Sequence, residues 1–108
     1  MQAFRRFPAV AVALLAWGAA YADAPATTIK LEHFMFQPTT LKVTVGATVR
    51  WENLDGEPHT VVSVDGLFRS GALDQGDAFS YTFKTPGSYR YVCSIHPQMV
   101  GTIVVAAP

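Results

Sequence analysis

The stretch Pro86–Val105, "PGSYRYVCSIHPQMVGTIVV", decides the reading of this chain. Tyr89, Tyr91 and Cys93 fall on one face of an alternating run, the period of a strand with one face in a core and one in water. Pro86-Gly87 ahead of it is a turn signal, and "TIVV" at its end reads as a further strand. Between the two runs stand His96 and Met99, three and six residues after the cysteine. A straight strand would scatter these side chains, so the loop must curl to gather them. Pro97 fixes its own φ and biases His96 away from helical geometry. Gly101 is expected to let the chain turn back into the last strand.

Outward from this stretch the same period recurs. Ile29 and Leu31 share a face, as do Leu41, Val43 and Val45; Val49 and Trp51; Phe79, Tyr81 and Phe83; and Ile103 and Val105. Lys30, Lys42, Thr44, Arg50, Ser80 and Thr82 lie between them. Gly46, Asp55-Gly56, Asp65-Gly66 and Gln75-Gly76-Asp77 punctuate the runs as turns. No helical period stands out. Two facing antiparallel sheets satisfy this pattern, so the expected fold is all-β, a sandwich. Leu67–Leu73 is less regular and is expected to be a loop or short edge element. Trp51, Phe79, Tyr81 and Phe83 are assigned to the core.

With 108 residues, 50% hydrophobic, 15% charged and a formal net charge of zero, the chain reads as one small soluble domain. No basic run exists beyond Arg5-Arg6, which argues against nucleic acid as a partner. Residues 1–22 have a basic start, an apolar run from Ala9 to about Ala20 and a closing Ala20-Tyr21-Ala22, the pattern of a cleaved secretory signal peptide. The apolar run is short for a membrane span, which needs about 20 residues. The expected mature domain is 23–108, with no membrane span. Removing Arg5 and Arg6 from eight basic residues leaves six against eight acidic ones, a net charge of −2. A core of that size gives limited stability, and small exported domains often add disulfides or a metal. One cysteine excludes an intramolecular disulfide and leaves a free thiol, an intermolecular bridge or a metal ligand.

Cys93, His96 and Met99 are three side chains of an incomplete site. His59, 34 residues before Cys93, is the best fourth candidate, because a sandwich can set the two strand ends side by side. Two imidazoles and a thiolate can form a trigonal plane with a thioether as a weak axial ligand, the donor set of blue-copper electron transfer. Zinc would accept the two histidines and the cysteine but gains little from a thioether. With three His and three Met in the chain, both offsets from the cysteine arise by accident about once in a thousand. His33, in "LEHFMF", lies far from these motifs and is given a structural role.

"FQPTTLKVTVG" at 36–46, then "VRWEN", "PHTV" and the opening stretch together resemble the cupredoxins, the type 1 blue copper proteins. The two-residue gap between His96 and Met99 is similar to the short ligand loop of their amicyanin-like branch. The resemblance covers about Ile29 to Val105. It implies a Greek-key sandwich of about eight strands and one type 1 copper ion held by His59, Cys93, His96 and Met99. It further implies single-electron shuttling in the periplasm by cycling Cu(II) and Cu(I); the chain is separately expected to be a monomer. A c-type cytochrome or a periplasmic dehydrogenase is then the expected redox partner. Pro58, Phe68, Pro97 and Val100 are the expected rim of an apolar docking patch around His96. Second-shell donors to the sulfur are expected from backbone N–H groups of the Ser94–Met99 loop. Thr60 stands where the amicyanin-like pattern has an Asn that ties the two ligand loops; either its hydroxyl makes the tie through Ser94 or the site is looser. The alternative reading is a periplasmic copper-binding protein for delivery or storage. An enzyme is not expected: a copper oxidase or nitrite reductase needs a second copper with its own histidines, and only His33 is left over.

Overall fold

A computed structural model describes residues 27–108; the signal peptide assigned to 1–22 lies outside them. Eight strands follow one another: β1 (Thr27–Glu32), β2 (Met35–Gln37), β3 (Thr40–Thr44), β4 (Thr48–Asn53), β5 (Val62–Ser63), β6 (Ala78–Thr82), β7 (Gly87–Val92) and β8 (Val100–Ala106). They form two four-stranded sheets, ordered β2-β1-β4-β6 and β3-β8-β7-β5. The chain crosses between sheets, so β1 lies parallel to β4 and β3 parallel to β8, while the remaining pairs are antiparallel. No helix of the described residues is long and apolar enough to cross a membrane.

The alternation in the sequence is the alternation of burial. Ile29, Leu31, Val49, Trp51, Tyr91, Cys93, Ile103 and Val105 are buried, while Lys30, Lys42, Ser80 and Arg90 face out. Leu41, Val43, Val45, Phe79 and Tyr81 are only partly covered, because they border the open sides of the sandwich. Trp51 fills the centre, with Phe68, Phe79 and Tyr91 at ring-centroid distances of 5.6, 5.9 and 5.4 Å. Phe68 is thus a core residue at 5% exposure and not part of a surface rim. The segment that carries it makes isolated bridges from Arg69 to Val62 and from Leu73 to His59. That pairing turns the irregular stretch inward and drives its one large aromatic into the interior.

Gly101 does not form a turn. It lies within β8 opposite Tyr91, whose ring covers it. A Cβ there would stand 2.4 Å from both Cζ and Oη of Tyr91. The glycine is therefore the space into which a buried tyrosine fits, two residues before Cys93. Tyr91 Oη and Trp51 Nε1 lean on each other without a well-formed hydrogen bond. Burial pushes the Tyr91 phenol up to about 12, and the neighbouring indole acts in the opposite direction.

The raised phenol makes alkaline stability depend on this residue. Between about pH 10 and 12 the unfolded chain has lost the Tyr91 proton while the folded one keeps it, so stability falls as pH rises through that window. Tyr91→Phe is expected to remove up to about 2–3 kcal/mol of that fall. Urea unfolding midpoints of both proteins across the window check it.

Candidate metal centre

Three loops meet at one end of the sandwich. The first, after β4, carries Asp55 and His59; the second, between β7 and β8, carries Cys93, Ser94, His96 and Met99; the third is the turn between β1 and β2. The root of the first loop is Asn53, the last residue of β4 and fully buried. Its side-chain amide donates to the carbonyls of Glu57 and Leu73 at 2.9 and 2.8 Å, and its Oδ1 accepts the N–H of Asp55 at 2.9 Å. Its backbone exchanges bonds with Asp77 and Gly76. A buried amide with every group satisfied holds the loop in one shape.

From that loop His59 enters the interior with no exposed surface. Its backbone is clamped to Leu73 by reciprocal hydrogen bonds of 3.1 and 2.7 Å. Its Nε2 lies 2.8 Å from Oδ2 of Asp55. With Nε2–H donating a hydrogen bond to the carboxylate, Nδ1 is left as a lone pair facing inward, and the ring orientation is fixed. Burial raises the pKa of Asp55, but hydrogen bonds from the Phe34 N–H, His59 and the His33 N–H outweigh it and hold the carboxyl below its ordinary value. Asp55 therefore stands ionised beside the imidazole.

Cys93 is fully buried, and its N–H bonds the Met99 carbonyl at 3.1 Å. The Met99 N–H in turn bonds the His96 carbonyl at 2.9 Å. These two bonds close the curl that the spacing requires. The Nδ1 atoms of His59 and His96 lie 3.2 Å apart, and each is 3.9 or 3.8 Å from Cys93 Sγ. The three donor atoms fall within 4.8 Å of one another. Edges of that length suit donors grouped around an ion bound at about 2.0–2.3 Å. Two imidazole nitrogens this close need a shared proton or a cation between them. Met99 is buried at the end of the same loop, at 2% exposure. The side chain of His33 is exposed on the β1–β2 turn and is not among the clustered donors.

Two residues tie the first loop to the second. The Thr60 hydroxyl accepts the Ser94 N–H at 2.7 Å and pairs with the Ser94 hydroxyl at 2.8 Å. The Thr60 N–H points at Cys93 Sγ at 3.4 Å, with the Thr60 hydroxyl at 3.8 Å. The backbone N–H directed at the sulfur among the described residues is thus that of Thr60 and not one from the Ser94–Met99 loop. Within that loop the Ser94 N–H is taken by the Thr60 hydroxyl and the Met99 N–H by the His96 carbonyl.

Neither Asp55 nor Asn53 lies in the Cys-His-Met motif, and the fold brings both to the site. An acidic residue four positions before His59, in "DGEPH", is the signal for Asp55, although Asp55-Gly56 also reads as a turn. Nothing local marks Asn53, whose partner Leu73 lies 20 residues away.

Residues 6–105 match the family model of a cupredoxin-like domain. The chain is 35% identical over 104 residues to amicyanin-alpha of Methylorubrum extorquens, covering 88% of this chain and 87% of that one. It superposes on the structure of a reduced tryptophan-to-tyrosine mutant of amicyanin with a TM-score of 0.72 at 32% identity, over 81% of this chain and 88% of the other. It also matches the copper-containing nitrite reductase of Thermus scotoductus with a TM-score of 0.73 at 33% identity, but spans 23% of that enzyme.

Thr60→Val keeps the shape of the side chain and deletes the inter-loop tie. It is expected to lower the stability of the metal-free protein by about 1–2 kcal/mol, since the Ser94 N–H loses its acceptor. Urea unfolding checks this, and an unchanged midpoint would show that the two loops are held elsewhere.

Proposed function

The chain belongs to the cupredoxin-like family, and on that premise we propose that it is an exported single-electron carrier built around one type 1 copper ion. His59, Cys93 and His96 would hold the ion as strong donors in this reading, with the Met99 thioether as a weak fourth donor. The observation that carries it is the convergence of a buried thiol and two imidazole nitrogens at 3.2–3.9 Å on loops held by backbone and second-shell hydrogen bonds. Soft thiolate with borderline imidazole is a copper donor set. Copper bound there would supply the one-electron chemistry, alternating between Cu(II) and Cu(I).

The protein's own part is to keep the donors where they are. His59 is fixed by Asp55 and by Leu73, Cys93 by its bond to Met99 and by Thr60, and His96 by the turn it shares with Met99. A site held this firmly has little room to rearrange when its charge changes by one, which favours fast transfer. Cys93 must give up its proton to ligate, so metal loading releases a proton and weakens in acid. The Thr60 N–H directed at the sulfur stabilises negative charge there.

His96 is the donor that is partly exposed, and it marks the exit for the electron. Around it Pro58 and Pro97 are exposed, Val100 is half-buried, and Ile95 stands 47% exposed. A small apolar surface of this kind suits brief docking to a redox protein such as a c-type cytochrome or a dehydrogenase, with the periplasm as the setting. We read the protein as a carrier and not an enzyme. Beyond His59 and His96, the only histidine is His33, too little for a second copper.

The visible spectrum of the copper-loaded protein is the primary test, and an intense blue absorption is expected. Cys93→Ser should abolish it; a blue variant would overturn the ligand assignment. Met99→Leu should keep the colour and shift the reduction potential, while complete loss of copper would rule out a weak axial role. Copper that exchanges freely with a chelator, alongside slow electron self-exchange, would favour delivery or storage over electron transfer.

A further inference from the structure

The turn between β1 and β2 is built from His33 and Phe34, both left-handed, with φ of 58° and 57°. Two-residue hairpins of this kind favour Asn-Gly, because a side chain at positive φ crowds its own backbone. A phenylalanine is among the least suited residues for it. The ring is also 39% exposed, so burial does not explain the choice. Local propensity and solvation both argue against Phe34 here, and such conflicts gather at functional sites.

The conformation is held from outside the turn. Asp55 Oδ1 accepts the His33 N–H at 2.8 Å, and Oδ2 accepts the Phe34 N–H at 2.9 Å. The same Oδ2 lies 2.8 Å from His59 Nε2. One carboxylate thus fixes both the hairpin tip and a donor imidazole. The result is a cluster of three rings. Phe34 meets His59 at 5.0 Å and 86°, and His96 at 4.9 Å and 80°, edge-on to each, while the two imidazoles are 5.1 Å apart.

The two histidines are not equally supported. His59 has Asp55 on its outer nitrogen. His96 has no hydrogen bond to its outer nitrogen among the described residues, and its ring rests on Phe34 and His59. We propose that Phe34 is a positioning residue for the metal centre: its ring, set by the left-handed turn that Asp55 clamps, holds His96 in its ligating orientation and closes the gap between the two imidazoles to water. It does for His96 by packing what Asp55 does for His59 by hydrogen bonding. The inference rests on the copper reading and deepens it.

The test separates this role from a merely structural one, because the two predict opposite signs. Phe34→Asn suits the left-handed turn better, so the metal-free protein should keep or raise its melting temperature. Its copper affinity should nevertheless fall about 10- to 100-fold in a chelator competition, the usual cost of losing a second-shell partner. In the metal-free protein the His96 ring resonances should collapse to a rotamer average, while those of His59 stay put. Phe34→Tyr keeps the ring edge and should restore both. The proposal is overturned if Phe34→Asn binds copper within about twofold of wild type with His96 still ordered. It is equally overturned if affinity falls only in step with a lowered melting temperature. A wild-type protein that fails to turn blue would sink the copper reading instead, and the metal-free resonances would still decide what Phe34 does for His96.

Discussion

The site depends on one buried amide. Asn53 ends the central strand β4 and receives or donates five hydrogen bonds to other protein groups through its side chain and backbone. Through Asp55 it sets the carboxylate that orients His59 and clamps the β1–β2 turn. Through Leu73 it sets the strand-like partner of the His59 backbone. A loop has no ladder to fix its shape, and water would compete for each of its polar groups. A satisfied amide in the dry interior turns such a loop into a rigid extension of the sheet. The precision required of the donor atoms is thus transmitted from the sandwich.

The second loop solves the same problem from the other sheet. β7 delivers Cys93 into the core by simple alternation, after Tyr91 has settled over Gly101. The curl through His96 and Met99 is then closed by two short backbone bonds. Neither loop would define a site by itself, because each could shift against the other. Thr60 joins them, bonding Ser94 through its hydroxyl while directing its N–H at the sulfur. Threonine thereby performs the tie expected where the amicyanin-like pattern has Asn, with one shorter and stiffer side chain.

The sandwich was legible because a strand with one wet face writes its burial directly into the sequence. Ile29 with Leu31, Val49 with Trp51, and Ile103 with Val105 needed no further information. Phe68 escaped that reading. It belongs to an irregular segment whose pairing with Val61, Val62 and His59 exists only after folding. Gly101 escaped it for a related reason: a glycine next to a loop looks like a turn, whereas its purpose is the volume of a tyrosine on the neighbouring strand. Side-chain volume across a sheet leaves no periodic trace.

The sequence by itself determined the strands, the single unpaired thiol and the Cys-His-Met spacing, because these are local properties of period and offset. It also pointed to His59, through the strand ends a sandwich sets side by side, and left open whether Thr60 ties the two loops. Only the tertiary structure decided how the donors are held. Asp55 reaches His33 and Phe34 across 22 and 21 residues, Asn53 reaches Leu73 across 20, and Thr60 reaches Cys93 across 33. Such bonds form between groups that share no sequence period, and they are strong only where the fold has already removed water.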